Sequence, residues 1–284
     1  MTPSAKRQAI AALVGHRIPV ARACRLVRLA RAAWYRPPPA PLVRDAAVVT
    51  ALTALVDRHP RWGFWKCFGW LRQHGHPWNH KRVHRVYCAL RLNRARRTKR
   101  RVPRRPRVPL VAPPTLNGTW ALDFMRDTLY DGRVFRVLNV LDHGNREGLA
   151  IDVGFSLPSR RVQAVLGELI ALHGAPAALR VDNGPEFLAA TLAAWAEQHG
   201  ITLEFIQPGK PAQNAFIERF NQSYRTEVLD AHVFSSLAEV RVLSEAWRRD
   251  YNLERPHDSL GRVPPLTFIP RPTSILEYQL QMST

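Results

Sequence analysis

Hydrophobic residues recur at helical spacing through the first part of the chain. The spacing predicts helices over residues 5–14, 20–27 and 29–35, which end before a run of three prolines. Between the apolar positions, arginines recur every third residue and form a basic stripe: Arg22, Arg25, Arg28 and Arg31. A solvated helical face and a DNA-binding surface both fit this stripe, and we expect residues 1–36 to form a basic helix-turn-helix-like segment.

A second helical unit is predicted over residues 44–92. A helix over 63–73, a turn and a helix over 80–90 give it a helix-turn-helix pattern, and Asn79 is a plausible N-cap for the last helix. Its outward side chains include three that we expect to contact DNA: Lys81, Arg82 and Arg85. The pattern therefore predicts a helix-turn-helix-like DNA-binding domain.

A linker rich in proline and arginine follows over residues 93–112. Within it, nine of the fourteen residues of 94–107 are basic and two are proline. Such a segment buries too little apolar surface to fold alone, so we expect it to lie along phosphates as a tether. Four of its side chains are predicted DNA contacts: Arg97, Lys99, Arg100 and Arg101.

The pattern changes after residue 112. Three strand-like runs over 119–125, 134–143 and 147–155 are joined by short turns and predict an antiparallel meander. Helices and strands then alternate over these ranges: 158–173, 177–181, 185–199, 201–206 and 214–229. This order predicts an α/β fold with a mixed sheet and flanking helices over 113–232. A helix over 237–252 belongs to a C-terminal helical segment and tail over 233–284.

Charge is divided unevenly along the chain. Residues 1–110 carry 26 basic and two acidic side chains, whereas residues 111–284 carry 16 basic and 20 acidic ones. The first part therefore needs a polyanionic partner, and nucleic acid fits best. No apolar run approaches the ~20 residues of a membrane span, and the N-terminus lacks a secretory signal. With three cysteines and no Cys-x-x-Cys, we expect a protein without disulfides in a reducing cytoplasm.

Histidine is concentrated around the second helical unit. Four histidines lie near Cys67 and Cys88: His74, His76, His80 and His84. His80 and His84 are one helical turn apart, which suits a metal ion, but the set lacks a paired cysteine motif. Polar surface or phosphate contacts and a zinc site are both compatible with this pattern.

Three carboxylates stand out in the α/β region. Asp123 lies inside an apolar strand, Asp182 ends another, and Glu218 lies one turn into a long helix. Alone, each has an ordinary explanation: a salt bridge, an Asp-Asn-Gly-Pro turn, or an exposed helical residue. Together they offer the oxygen ligands that hard divalent cations require. Two such ions about 4 Å apart drive phosphodiester displacement in many enzymes.

The sequence around these residues resembles a known family. The last two carboxylates are separated by 35 residues and lie within DNGPEF (182–187) and PGKPAQNAFIERFN (208–221), which YNLERPHDSL (251–260) follows. With WNHKRV (78–83), these motifs resemble the OrfB transposase of the large two-reading-frame bacterial insertion-sequence family. The triad itself is similar to that of retroviral integrases. The resemblance covers residues 44–268.

The resemblance implies a ribonuclease-H-like core in which Asp123, Asp182 and Glu218 bind two Mg²⁺ or Mn²⁺ ions. Such enzymes cut transposon ends and transfer the exposed strand into target DNA. The resemblance further implies that Lys210 and Asn214 contact DNA near the scissile phosphate. Partners would be transposon-end and target DNA, another copy of the chain, and the upstream OrfA product, separate or fused.

Two other functions fit parts of the sequence. A catalytically inactive DNA-binding regulator would account for the basic first part, and a ribonuclease-H-like nuclease would cut without joining. The roles of Tyr251, Arg255 and His257 stay open between structural packing and an unassigned function.

Overall fold

The computed structural model describes residues 1–36, 41–93, 115–207 and 214–271. Five predicted DNA contacts lie outside these residues: Arg97, Lys99, Arg100, Arg101 and Lys210.

The N-terminal segment consists of three short helices. They are α1 (Pro3–Gly15), α2 (Val20–Val27) and α3 (Arg31–Tyr35), close to the predicted ranges. Buried Ile10, Ala23 and Cys24 form their shared core. The helical prediction for this segment is confirmed.

Four helices follow in the second unit. They are α4 (Pro41–Arg44), α5 (Ala46–Arg58), α6 (Phe64–Gln73) and α7 (His80–Ala89). The Asn79 side chain accepts a hydrogen bond from the Lys81 amide at 2.9 Å, which confirms the predicted cap of α7. Apolar residues of α5, α6 and α7 pack into one core, because each helix presents an apolar stripe to the other two.

A five-stranded mixed sheet forms the centre of the remaining chain. Its strands are β1 (Thr119–Thr128), β2 (Val134–Asp142), β3 (Gly148–Gly154), β4 (Ala178–Val181) and β5 (Thr202–Phe205). The order across the sheet is β3-β2-β1-β4-β5. The first three strands pair antiparallel, as the meander predicted, and β4 and β5 add in parallel.

Helices cover both faces of this sheet. The elements are α8 (Ser159–His173), α9 (Ala190–Gln198), α10 (Ala215–Tyr224), α11 (Leu237–Leu253) and α12 (Pro265–Phe268). Trp120 and Leu122 of β1 pack with α8 and α9 on one face. Ala121 packs with α10 and Tyr251 of α11 on the other, because successive strand residues point to opposite faces.

Two predicted helix boundaries were wrong. The helix expected from 185 begins at Ala190, since the residues after Asp182 form a turn held by distant side chains. The helix expected over 214–229 is α-helical only to Tyr224, and Arg225–Leu229 form a π-helical turn. Arg225 there donates to Asp127 at 2.5 Å, a contact between distant residues that local sequence patterns do not encode.

The second helical unit packs against the C-terminal end of α11 and the residues after it. Lys66 Nζ lies 3.9 Å from a Glu227 oxygen, and the Trp70 indole donates to Glu254 at 3.0 Å. Gly69 contacts Pro256 so closely that a Cβ there would lie 3.1 Å from the proline ring. These contacts join the basic unit to acidic residues of the α/β region.

Candidate active site

Asp123 occupies the middle of β1. It faces the side of the sheet covered by α10 and lies directly opposite Asn139 of β2. Its neighbour Leu122 is buried on the other face. Because successive side chains of a strand point to opposite faces, Asp123 points toward α10 whereas Leu122 points away from it.

Asp182 follows the last residue of the neighbouring strand. In the parallel pairing of β1 and β4, Ala121 is level with Arg180. Two residues further along both strands, the same register makes Asp182 level with Asp123. The expected position of Asp182 at a strand end is therefore confirmed, and the sheet places the two aspartates on adjacent strands.

The turn after β4 orients the Asp182 side chain. Its Oδ1 accepts a hydrogen bond from the Gly184 amide at 2.9 Å. A Cβ on Gly184 would lie only 2.9 Å from that same oxygen, so a larger residue would displace the Asp182 carboxylate. Asp182 thus belongs to a turn and at the same time lies at the end of β4, beside β1.

An ion pair connects this turn to β2. Arg136 of β2 donates to Glu186, four residues after Asp182. The Arg136 guanidinium also lies 4.2 Å from the ring centre of Phe124, the residue after Asp123. Arg136 thereby contacts the neighbours of both aspartates, a function that its place in the sequence did not indicate.

Glu218 is exposed on the first turn of α10. Three residues later, on the same side of the helix, Asn221 donates from Nδ2 to Oδ2 of Asp123 at 2.7 Å. Asn139 in turn donates to Oδ1 of Asn221 at 2.7 Å. The two asparagines fix α10, and with it Glu218, against the strand that carries Asp123.

Electrostatics connect the three carboxylates. Burial raises the pKa of Asp123 to about 6, the amide of Phe124 opposes that rise, and the charges of Asp182 and Glu218 add to it. Yet no three His, Cys, Asp or Glu side chains within the described ranges converge closely enough to hold a metal ion. The triad residues share one electrostatic environment without forming a closed ligand set.

Sequence reasoning missed the two asparagines as parts of the site. A signal for Asn139 exists, since it is the one polar residue in the apolar stretch Val137–Leu141 and is fully buried. For Asn221, the signal is its spacing of three residues from Glu218.

Two arginines on α7 have a partner that the sequence did not indicate. Arg82 and Arg85 project outward as expected, with 40% and 50% of their side chains exposed, and they also donate to the two oxygens of Asp45 at 2.8 and 2.6 Å. Asp45 is fully buried and therefore requires cationic partners. The hydrogen bond from Arg85 is the main reason that the pKa of Asp45 is held below its ordinary value. Lys81 is exposed as well.

Asn214 is buried directly before α10. Only 4% of it is exposed, and its Oδ1 has no hydrogen-bond partner among the described residues. Its contact with DNA stays a prediction, because the six residues before it lie outside the described part of the chain.

The motif over 251–260 has a structural role. Tyr251 packs edge-to-face on Phe220 of α10, at 4.8 Å between ring centres. Buried Arg255 donates to Glu227, and His257 bonds the backbone oxygen of Tyr251 at 3.2 Å. These residues pack behind α10, and Arg255 binds the same glutamate, Glu227, that faces Lys66.

The histidines near Cys67 and Cys88 have different neighbours. His74 lies 3.3 Å from Glu254 and stacks on Trp70. His84 packs against Phe64, and its Nε2 lies 3.7 Å from Sγ of Cys88, so one histidine and one cysteine of the set do meet. Cys67 is buried in the apolar core of the second unit. Within the described part of the chain, no third His, Cys, Asp or Glu side chain joins this pair to form a metal-binding group.

Comparison with protein families gives two kinds of match. An integrase core domain matches residues 113–211 and 199–265, and an HTH-like domain matches residues 44–101. In addition, none of the helices described here is both long and apolar enough to cross a membrane.

Close relatives come from bacterial insertion elements. The chain is 39% identical over 269 residues to the 39.2 kDa protein of insertion element IS476 from Xanthomonas euvesicatoria, covering 94% of this chain and 78% of that one. It is 37% identical over 247 residues to the 31.7 kDa protein of insertion element IS407 from Burkholderia multivorans, covering 87% and 89%. Among solved structures, the HTLV-2 integrase catalytic core in complex with magnesium is 15% identical, with a TM-score of 0.43, over 57% of this chain and 99% of that one.

Proposed function

This chain belongs to the family of insertion-sequence transposases that combine an HTH-like domain with an integrase core, and on that premise we propose that Asp123, Asp182 and Glu218 are its catalytic residues. The reaction is cleavage of DNA strands at the element's ends and their transfer to target DNA. The strongest support is the sheet register, which makes Asp182 level with Asp123 on adjacent parallel strands.

The donor set of the triad fits divalent metal ions. All three side chains are carboxylates, and hard cations such as Mg²⁺ and Mn²⁺ prefer oxygen ligands. Burial raises the pKa of Asp123 most, and the charges of Asp182 and Glu218 raise it further, so a bound cation would relieve the repulsion among the three carboxylates. We therefore assign two Mg²⁺ or Mn²⁺ ions to these residues, which would supply activation of the attacking oxygen and stabilisation of the leaving one.

The remaining residues of the site position the ligands. Asn221 and the Phe124 amide donate to the two oxygens of Asp123, and the Gly184 amide donates to Asp182. Glu218 has no hydrogen-bond or ion-pair partner among the described residues, which leaves its carboxylate available. Two aspartates would thus be held in fixed orientations while the glutamate completes the ligand set from α10.

DNA is the proposed partner of the basic part of the chain. Exposed Lys81 and the outer edges of Arg82 and Arg85 would contact phosphates from α7, with side chains of residues 97–101 and Lys210 as further contacts. Because such contacts release counterions, affinity should fall steeply with salt. We further propose that copies of the chain associate on DNA and that the OrfA product is a partner or fusion.

Product analysis tests this function. Labelled DNA that carries the element's own end is incubated with the full chain and Mg²⁺ or Mn²⁺, and joined strands are separated from merely cut ones. Joined product supports a transposase, cut product alone supports a nuclease, and metal-independent binding without cleavage supports an inactive regulator. If no reaction occurs, the assay is repeated with the OrfA segment fused to the chain, and continued failure would overturn the proposal.

A further inference from the structure

The N-terminal helical unit has an unusual charge composition. Residues 1–36 contain eight lysine or arginine side chains and no aspartate or glutamate. No cation there can therefore pair with a carboxylate of its own unit. None of these cations forms an ion pair within the described parts of the chain.

Several arginines of the second unit are in a different situation. Arg82 and Arg85 are bound to Asp45, and Arg58 lies 3.5 Å from Asp250. Their charges are partly neutralised by the protein itself. The N-terminal unit thus carries charge that the fold leaves available for an external anion.

Three of these free arginines line one groove. Arg25 at the end of α2, Arg28 in the turn and Arg31 at the start of α3 surround a space of about 570 Å³. Cys24 and Leu29 also line this space. The three arginine residues therefore line a single concave surface rather than scattered positions.

The groove is held in shape by the packing of α1. Lys6 Nζ donates to the backbone oxygen of Arg28 at 3.0 Å, and Arg7 donates twice to the backbone oxygen of Ala33, at 3.2 and 3.1 Å. Arg28 itself has a left-handed backbone with φ of 54°, which turns the chain sharply between α2 and α3. Because these contacts already fix the backbone of the groove, binding of a ligand would require little further ordering of the chain.

We propose that this groove binds the phosphodiester backbone of duplex DNA, as a second DNA contact separate from α7. Arginine donates several hydrogen bonds in a planar fork that matches phosphate oxygens. Contacts to phosphate carry no base information, so the groove holds DNA of any sequence. Binding here requires neither metal nor the triad, so this inference stands apart from the catalytic proposal.

The test measures DNA affinity of the full chain as a function of salt, by fluorescence anisotropy in EDTA on a Glu218→Gln background. The variant is Arg25→Gln with Arg31→Gln. The matched control, Arg133→Gln with Arg160→Gln, removes the same charge from exposed positions of the α/β region. Two duplexes are compared, one with the element's end and one with its scrambled sequence.

The groove variant should reduce the magnitude of the log–log salt slope by about 2 and weaken binding roughly tenfold on both duplexes. The control should reproduce the parent slope. An unchanged slope in the groove variant, or a loss confined to the end sequence, would overturn the proposal. If the double variant does not fold, as judged by circular dichroism, Ala21→Glu places a carboxylate in the same groove and should weaken both duplexes equally.

Discussion

Asn221 of α10 donates a hydrogen bond from Nδ2 to Oδ2 of Asp123 at 2.7 Å. The Phe124 amide donates to the other oxygen at 2.8 Å, so both oxygens of this carboxylate are oriented by the protein. Because Asn221 lies three residues after Glu218, the same bond sets the distance between the strand and the helix that carry two members of the triad. Partners of this kind tune metal ligands without touching the metal.

Replacing Asn221 by alanine should weaken metal-dependent activity more than it weakens folding. Loss of such an orienting partner typically costs 10–100-fold in metal affinity or activity. We expect the Mn²⁺ concentration for half-maximal strand joining to rise within about this range. Gln222→Ala, at the exposed next position, is the control and should match the wild type. Equal Mn²⁺ requirements for both variants would argue against a positioning role for Asn221.

The pair of Arg136 and Glu186 should align the turn that carries Asp182. Loss of one charged hydrogen bond costs about 1.5 kcal/mol, so Arg136→Gln and Glu186→Gln should each lower the joining rate roughly tenfold. Exchange of the charges in Arg136→Glu with Glu186→Arg should restore part of it. If the charge-swapped variant joins strands no faster than the single variants, the ion pair is not what aligns the turn.

Arg271 should anchor the C-terminal part of the chain to the sheet. It donates to Glu147 at 2.5 Å, to Asp142 at 2.8 Å and to Asn117 at 3.0 Å, and both carboxylates are almost fully buried. Removing one partner of a buried ion pair costs about 3–5 kcal/mol, because the other charge remains uncompensated. Urea unfolding of Arg271→Met should show a loss of this size. Arg160→Met, at an exposed position, should lose less than about 0.5 kcal/mol.

His257 should make the free energy of unfolding depend on pH. Burial, with the charge of Arg255 adding to it, lowers the pKa of His257 to about 3. Between pH 6.5 and about pH 3, the imidazole is therefore protonated in the unfolded chain and neutral in the folded chain. This contribution to stability is complete above pH 6.5 and declines as the pH falls from 6.5 toward 3.

His257→Gln keeps a donor for the Tyr251 backbone oxygen but removes the titration. Melting temperatures measured between pH 7 and pH 4 should therefore fall less steeply for this variant than for the wild type. Parallel curves would show that His257 does not contribute to the acid sensitivity.

Local signals predicted the elements that carry the triad. The predicted cap at Asn79 and the boundaries of α2 were correct because capping and helix-breaking residues act within a few positions. Likewise, the strands of Asp123 and Asp182 could be predicted, since apolar runs with flanking turns have their own periodicity. The mixed sheet and its antiparallel meander were confirmed, whereas the order of the strands had not been predicted.

The contacts that build the site were harder to predict. The bonds from Asn221 to Asp123 and from Arg271 to Asp142 join residues more than 90 positions apart, and no local pattern reports them. Arg82 and Arg85 illustrate the same limit, because a basic helical face looks alike whether it meets phosphate or the buried Asp45. Burial decides between such outcomes, and it is known only once the chain has folded.

The most direct measurement is strand joining by the full chain, with the OrfA segment supplied if it is needed, for each triad substitution in turn. Asp123→Asn, Asp182→Asn and Glu218→Gln are compared with Glu197→Gln, an exposed helical glutamate outside the site. We predict joined product only with Mg²⁺ or Mn²⁺, only from the wild type and Glu197→Gln, and unchanged DNA binding in all variants. Strand joining at the wild-type level by any one of the three triad variants would contradict the account.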